Sequence, residues 1–308
     1  VDFLQYVNIG HSGLNASAIG LGLMRVTKKS DADAAQLVAT AIDHGINFFD
    51  NADAYGQGKA EEKFGAALKI AAIPRDRMVI QTKVGIVDKR YDFSKEHIIE
   101  AVNGSLERMG VDYIDSLLLH RPDPLMEPDE IAEAFLQLHN QGKVRQFGVS
   151  NFNPMQVALV QQALPMKLIA NQLQLSIMHT GMIDFGMHTN MTDSRSVDHD
   201  GGILEYSRLH DMTIQAWSPY QYGFFEGVFI DNPKFPELNR KLHDIAAKYG
   251  SNVNALAAAW ILRIPANMQV IAGTMNPERL AEIADIDRIK LTRQEWYDIY
   301  FAAGNNLP

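Results

Sequence analysis

The chain has 308 residues, of which 46% are hydrophobic and 21% charged, with a formal net charge of −9 and no cysteine. That balance is ordinary for a chain that folds throughout. The negative charge argues against a nucleic-acid backbone or an anionic membrane as main partner, and the missing cysteine excludes disulfides, thiolate nucleophiles and cysteine-held metals. The longest apolar run, 255–261, is far short of the roughly 18 residues a membrane helix needs, and the beginning of the chain lacks a basic-then-apolar secretion pattern. A soluble cytoplasmic protein is the expectation.

In chain order, residues 6–17 with a turn at His11-Ser12-Gly13 predict a small hairpin, placed to plug a barrel floor. Eight short runs rich in apolar and β-branched residues follow, at 19–24, 46–49, 78–82, 116–119, 146–149, 168–171, 213–217 and 269–272. Between them lie segments of helical period. Ser30, Ser94 and Asn153 are placed as N-caps, Pro128 as a first-turn proline, and Gly45 and Gly142 as helix terminators. Two further helices, 236–249 and 293–303, exceed the eight repeats. Strict strand–helix alternation means parallel strands with right-handed crossovers, and eight of them close most naturally into a single (β/α)8 TIM barrel, here one domain over residues 1–308. The polar segment 180–202, after the sixth strand, is the expected mobile, substrate-gating loop, with His179 its closest approach to substrate.

Catalytic groups of such barrels come from the C-terminal strand ends. The second run delivers Asp50 and, five residues on, Tyr55; the third ends at Lys83; the fourth ends at His120. That set suits protonation of a carbonyl oxygen as hydride reaches its carbon. A free tyrosine with a pKa near 10 is a weak acid at neutral pH, so Lys83 is expected to lower Tyr55. Asp50 then holds Lys83 charged, His120 orients the carbonyl, and Tyr55 is the proton donor. His179, His188 and His199, with Asp184, Asp193, Asp198 and Asp200, have no standard metal-ligand spacing, and no metal is expected.

Residues 45–50 (GINFFD), 117–123 (LLLHRPD) and 142–152 (GKVRQFGVSNF), in this order, resemble the aldo-keto reductase superfamily over almost the whole chain. The resemblance puts the family tetrad on Asp50, Tyr55, Lys83 and His120. It implies NADPH as cofactor, with NADH as the alternative, and a small-molecule carbonyl compound as substrate. It also implies cofactor contacts at Gly22, Met24, Ser150, Asn151, Gln172, Trp217, Ser218, Pro219, Gly273, Thr274, Arg279 and Glu282. Among these, Ser150, Asn151 and Gln172 bond the nicotinamide carboxamide, Trp217 stacks on the ring, and Ser218 and Pro219 line the pyrophosphate path. Residues 273–279 grip the adenosine 2′-phosphate, where Pro277 also opens a helix whose N-terminus attracts an anion. Gly273 stands where many members carry lysine, Ile283 where an asparagine is usual, and Met24 where an aromatic is common. Phe224 and Phe225 fall where they either cover the cofactor or simply pack. The rival readings are an NADPH-binding regulatory subunit of slow turnover, like the potassium-channel β subunits that resemble this family, and a metal-dependent barrel hydrolase.

Overall fold

The computed structural model describes residues 4–308. Eight parallel strands close a barrel in sequential order: β1 (Ile19–Gly22), β2 (Phe48–Asp50), β3 (Val79–Val84), β4 (Ile114–Leu119), β5 (Val144–Ser150), β6 (Leu168–Gln174), β7 (Thr213–Trp217) and β8 (Met268–Ala272). Every residue of β1 to β4 is buried, as expected of strands packed between a filled interior and a ring of helices. The expected strands all appear, and β5 and β6 run further than their apolar runs, because Ser150, Gln172 and Gln174 continue the ladder beyond the hydrophobic signal.

The expected helix starts hold. Ser30 and Ser94 accept the N3 amides of helices Asp31–Asp43 and Lys95–Met109, and Asn153 forms a reciprocal capping box with Gln156. Helices Pro236–Lys248 and Arg293–Ala302 are the two additions to the barrel, joined by a Lys248–Glu295 ion pair. The segment 180–202, expected as a mobile loop, carries regular structure of its own. It contains helix Gly181–Met187 and a 3-10 turn at Ser194–Ser196, and Asp184 accepts hydrogen bonds from Thr180 and from Tyr300 in the final helix.

The hairpin pairs Tyr6–Ile9 with Leu14–Ser17. Its Ile9 and Ala16 bury against Phe48, Val79, Ile169 and Ile271 and close the N-terminal end of the barrel. Gly10 is required there twice over: its φ is +57°, and a Cβ would fall 2.5 Å from the Ile169 carbonyl oxygen. Its amide donates to Thr213 Oγ1 at 2.8 Å, while Lys167 donates to its carbonyl and Asn267 to that of Asn8. Among the described residues no helix is long and apolar enough to cross a membrane.

Candidate active site

With the floor closed, the open end is the C-terminal mouth, and all four tetrad candidates meet there. Lys83, fully buried, donates from Nζ to Asp50 Oδ2 at 2.7 Å, to the Asn51 carbonyl at 2.9 Å and to the Tyr55 hydroxyl at 3.1 Å. The β2–β3 register sets Asp50 beside Gln81, two residues before Lys83, so the pair follows from strand order alone. Tyr55 is carried by the turn after β2, and the His120 ring stands edge-on to the Tyr55 ring at 5.8 Å, with 84° between planes. Asp50 Oδ1 is held in turn by the Gln81 and Gln172 amides.

The electrostatics follow from burial and neighbours. Desolvation alone pulls the Lys83 ammonium down, but the Asp50 carboxylate outweighs it, with help from Tyr55, and the group ends above its ordinary value. Burial pushes the Tyr55 phenol up; Lys83 pulls the other way without overcoming it. This reverses the expectation that Lys83 leaves Tyr55 lowered, because desolvating a phenolate in the mouth costs more than one ammonium returns. The Tyr55 hydroxyl therefore keeps its proton at neutral pH. Burial, with Lys83 and Arg121 adding to it, drops His120 well below its ordinary value, so its ring is neutral. His120 Nδ1 is buried without a partner, which leaves Nε2 as the nitrogen able to meet a ligand.

A hollow of about 470 Å³ opens above these groups. Of the expected cofactor residues, Gly22, Met24, Ser150, Asn151, Gln172, Trp217, Ser218, Pro219, Gly273, Thr274 and Arg279 all line it. Glu282 does not: its carboxylate accepts from Asn254, and Asn254 lines the hollow together with Ile283. Phe225 lines it too, stacked on Trp217 at 5.9 Å, with Phe224 edge-on to Trp217. His179 is not part of its wall; it forms an isolated bridge with Ser176.

The site is ready for a flat, amide-bearing ring. Trp217 Nε1 donates to Asn151 Oδ1 at 3.0 Å, fixing the indole, and Asn151 Nδ2 donates to Ser150 Oγ. Gln172 spends its amide nitrogen on Asp50 and Gln215, so only its carbonyl oxygen is left for a ligand. Asn151 at φ +60° and Ser218 at φ +48° occupy the left-handed region at the ends of β5 and β7, the kind of local strain that concentrates at binding sites. These residues fit a nicotinamide head group. A second hollow of about 700 Å³ continues past Gly273, Thr274 and Arg279 to the start of helix Pro277–Ala284, so the two together suit an extended dinucleotide.

Sequence reasoning missed two groups of residues. Arg25, one residue beyond Met24, lines both hollows, and the strand-end rule that selected Lys83 would have found it. Buried Gln81, Gln215 and Gln269 form an amide chain across the barrel from Asp50 to the Ser17 carbonyl; its trace in the sequence is a glutamine near the middle of three apolar strands. Among the described residues no group of three or more His, Asp or Glu is placed to hold a metal ion.

The aldo/keto reductase family model matches residues 18–300. Oxidoreductase YdhF of Escherichia coli (strain K12) is 35% identical, the match covering 99% of this chain and 100% of that protein. A 6-dehydroglucose reductase of Agrobacterium fabrum is also 35% identical, over 94% of this chain and 95% of its own. Among solved structures, the thermostable aldo-keto reductase Tm1743, in complex with the inhibitor epalrestat, superposes with a TM-score of 0.78 at 25% identity, covering 97% of this chain and 100% of the other. The family match over nearly the whole barrel and these full-length relatives establish that the chain belongs to the aldo/keto reductase family and is an oxidoreductase.

Proposed function

We propose that this protein reduces the carbonyl group of a small aldehyde or ketone with NADPH, and that Tyr55 delivers the proton. The observation that carries the reading is the Asp50–Lys83–Tyr55 hydrogen-bonded chain, at 2.7 and 3.1 Å, set beside a neutral His120 at the floor of the hollow.

When bound, NADPH would supply the hydride, and Trp217 is placed to lie against its nicotinamide. Ser150, Asn151 and Gln172 would hold the carboxamide. The substrate carbonyl lies between Tyr55 and His120, with His120 Nε2–H donating to its oxygen. As negative charge develops on that oxygen, Tyr55 transfers its hydroxyl proton and becomes a phenolate. Lys83, 3.1 Å away and kept charged by Asp50, stabilises that phenolate. Phe225 and Trp217 keep water from the ring. The same reading places the reaction in one barrel domain in the cytoplasm, in keeping with the absence of cysteine.

The test is NADPH binding by fluorescence titration, followed by absorbance decay with a panel of aldehydes that includes 6-dehydroglucose, on account of the relatives so named. Multiple turnovers by the wild type are expected. Tyr55→Phe should keep NADPH affinity and lose about 100-fold or more in turnover. Full turnover by Tyr55→Phe would sink the assignment, and tight binding with no turnover would favour a redox-sensing subunit.

A further inference from the structure

Beyond the mouth, the second hollow gathers three cations. Arg25 and Lys29 reach it from the segment after β1, and Arg279 from the first turn of helix Pro277–Ala284. Among the described residues none of these three side chains has a hydrogen bond or ion pair within the protein, and Glu278 is the only acid in the wall. Three unpaired cations turned toward one open hollow are costly to hold together unless an anion joins them.

Gly273 identifies the central one. Its φ lies outside the left-handed region, so its backbone has no need of glycine's freedom. What glycine provides there is room: a Cβ would stand 3.3 Å from Arg25 Nη1, tighter than ordinary contact. The missing side chain lets the Arg25 guanidinium lie against the end of β8, in the hollow that Thr274 and Arg279 also line. A planar guanidinium matches a phosphate monoester with two parallel hydrogen bonds, which a point charge cannot do.

We infer that Arg25, seated in the space Gly273 leaves open, grips the 2′-phosphate on the adenosine ribose of NADPH, with Lys29 and Arg279 flanking it, and so sets the preference for NADPH over NADH. The inference rests on the cofactor reading above. In this chain the discriminating charge comes from the loop after β1 and reaches the far side of the hollow, instead of arising from residue 273 itself.

Titration calorimetry with adenosine 2′,5′-bisphosphate and with 5′-AMP, alongside fluorescence titration with NADPH and NADH, tests this without turnover. Arg25→Ala should weaken NADPH and the bisphosphate by about 10- to 100-fold. NADH and 5′-AMP should stay within about threefold of wild type. Gly273→Val, which crowds Arg25 without removing a charge, should also weaken the bisphosphate. An equal loss for NADPH and NADH in Arg25→Ala would place Arg25 on the shared pyrophosphate and overturn the assignment, as would no loss. A wild type that binds neither dinucleotide would overturn the cofactor reading itself, and this inference with it.

Discussion

Lys83 Nζ and Asp50 Oδ2 stand 2.7 Å apart, with the lysine side chain wholly hidden from solvent. Such a pair is bound to its own completeness: removing one partner leaves the other charged and buried. Asp50→Ala should therefore destabilise the protein by about 3–5 kcal/mol in denaturant unfolding, in addition to its loss of activity. Lys83→Met should cost less, because Asp50 keeps the Gln81 and Gln172 amides. Lys83 is raised above its ordinary 10.5 by Asp50. The stability it gains is accordingly complete below that value and lost as pH climbs through the folded-state pKa, so the alkaline limb of the wild-type stability curve should depend on this pair. An unfolding midpoint in Asp50→Ala equal to wild type would refute the account.

His120 should leave no mark on the pH–rate profile near 6.5. Burial, Lys83 and Arg121 all depress it, so the ring is already neutral where a free imidazole begins to ionise. We expect kcat/KM to be flat for this group across about pH 6 to 8, and His120→Ala to lower it about 10- to 100-fold through loss of the orienting hydrogen bond. A break near 6.5 that disappears in the His120 variant would show the ring to be cationic in the resting enzyme.

Asp53, two residues before Tyr55, is pushed up to about 7 by burial and by the Glu61 carboxylate, against the pull of Arg108. Its Oδ1 is buried and has no hydrogen-bond partner. Here the sign is a cost. Between its ordinary 3.8 and about 7 the folded protein holds a proton that the unfolded chain has released, so stability falls as pH rises through that window. Asp53→Asn should gain about 1–3 kcal/mol over wild type at about pH 8, with the gain shrinking as pH falls and vanishing below about 4. A gain independent of pH would mean that ionisation of Asp53 is not its source.

The barrel, and the meeting of the four tetrad candidates at its mouth, were legible because each rests on local signals. Helix caps such as Ser30 and Asn153 mark boundaries, and Asp50, Lys83 and His120 end their strands, where the topology then brings them together. The sequence was silent where the outcome depended on a balance between distant groups. The direction of Tyr55 turned on desolvation against one ammonium, a contest with no trace in residue spacing. The glutamine chain from Gln81 through Gln215 to Gln269 joins three strands, its successive members 134 and 54 residues apart, and only the folded barrel shows that they share a layer. Segment 180–202 read as a loop because its polar residues resemble solvated ones, whereas Asp184 is buried as the partner of Tyr300.

The floor hairpin has a consequence for how the molecule assembles. It is synthesised ahead of every barrel strand, yet the side chains that fasten it, those of Lys167, Thr213 and Asn267, lie 157, 203 and 259 residues further along. Until β6 to β8 exist, Ile9 and Ala16 have no apolar surface of the finished kind to enter, and Gly10 has no Ile169 carbonyl to lie against. Contacts of such sequence separation form late. The hairpin is then a latch thrown after the ring has closed, and weakening it should hasten the opening of the barrel while leaving the rate of its assembly nearly untouched.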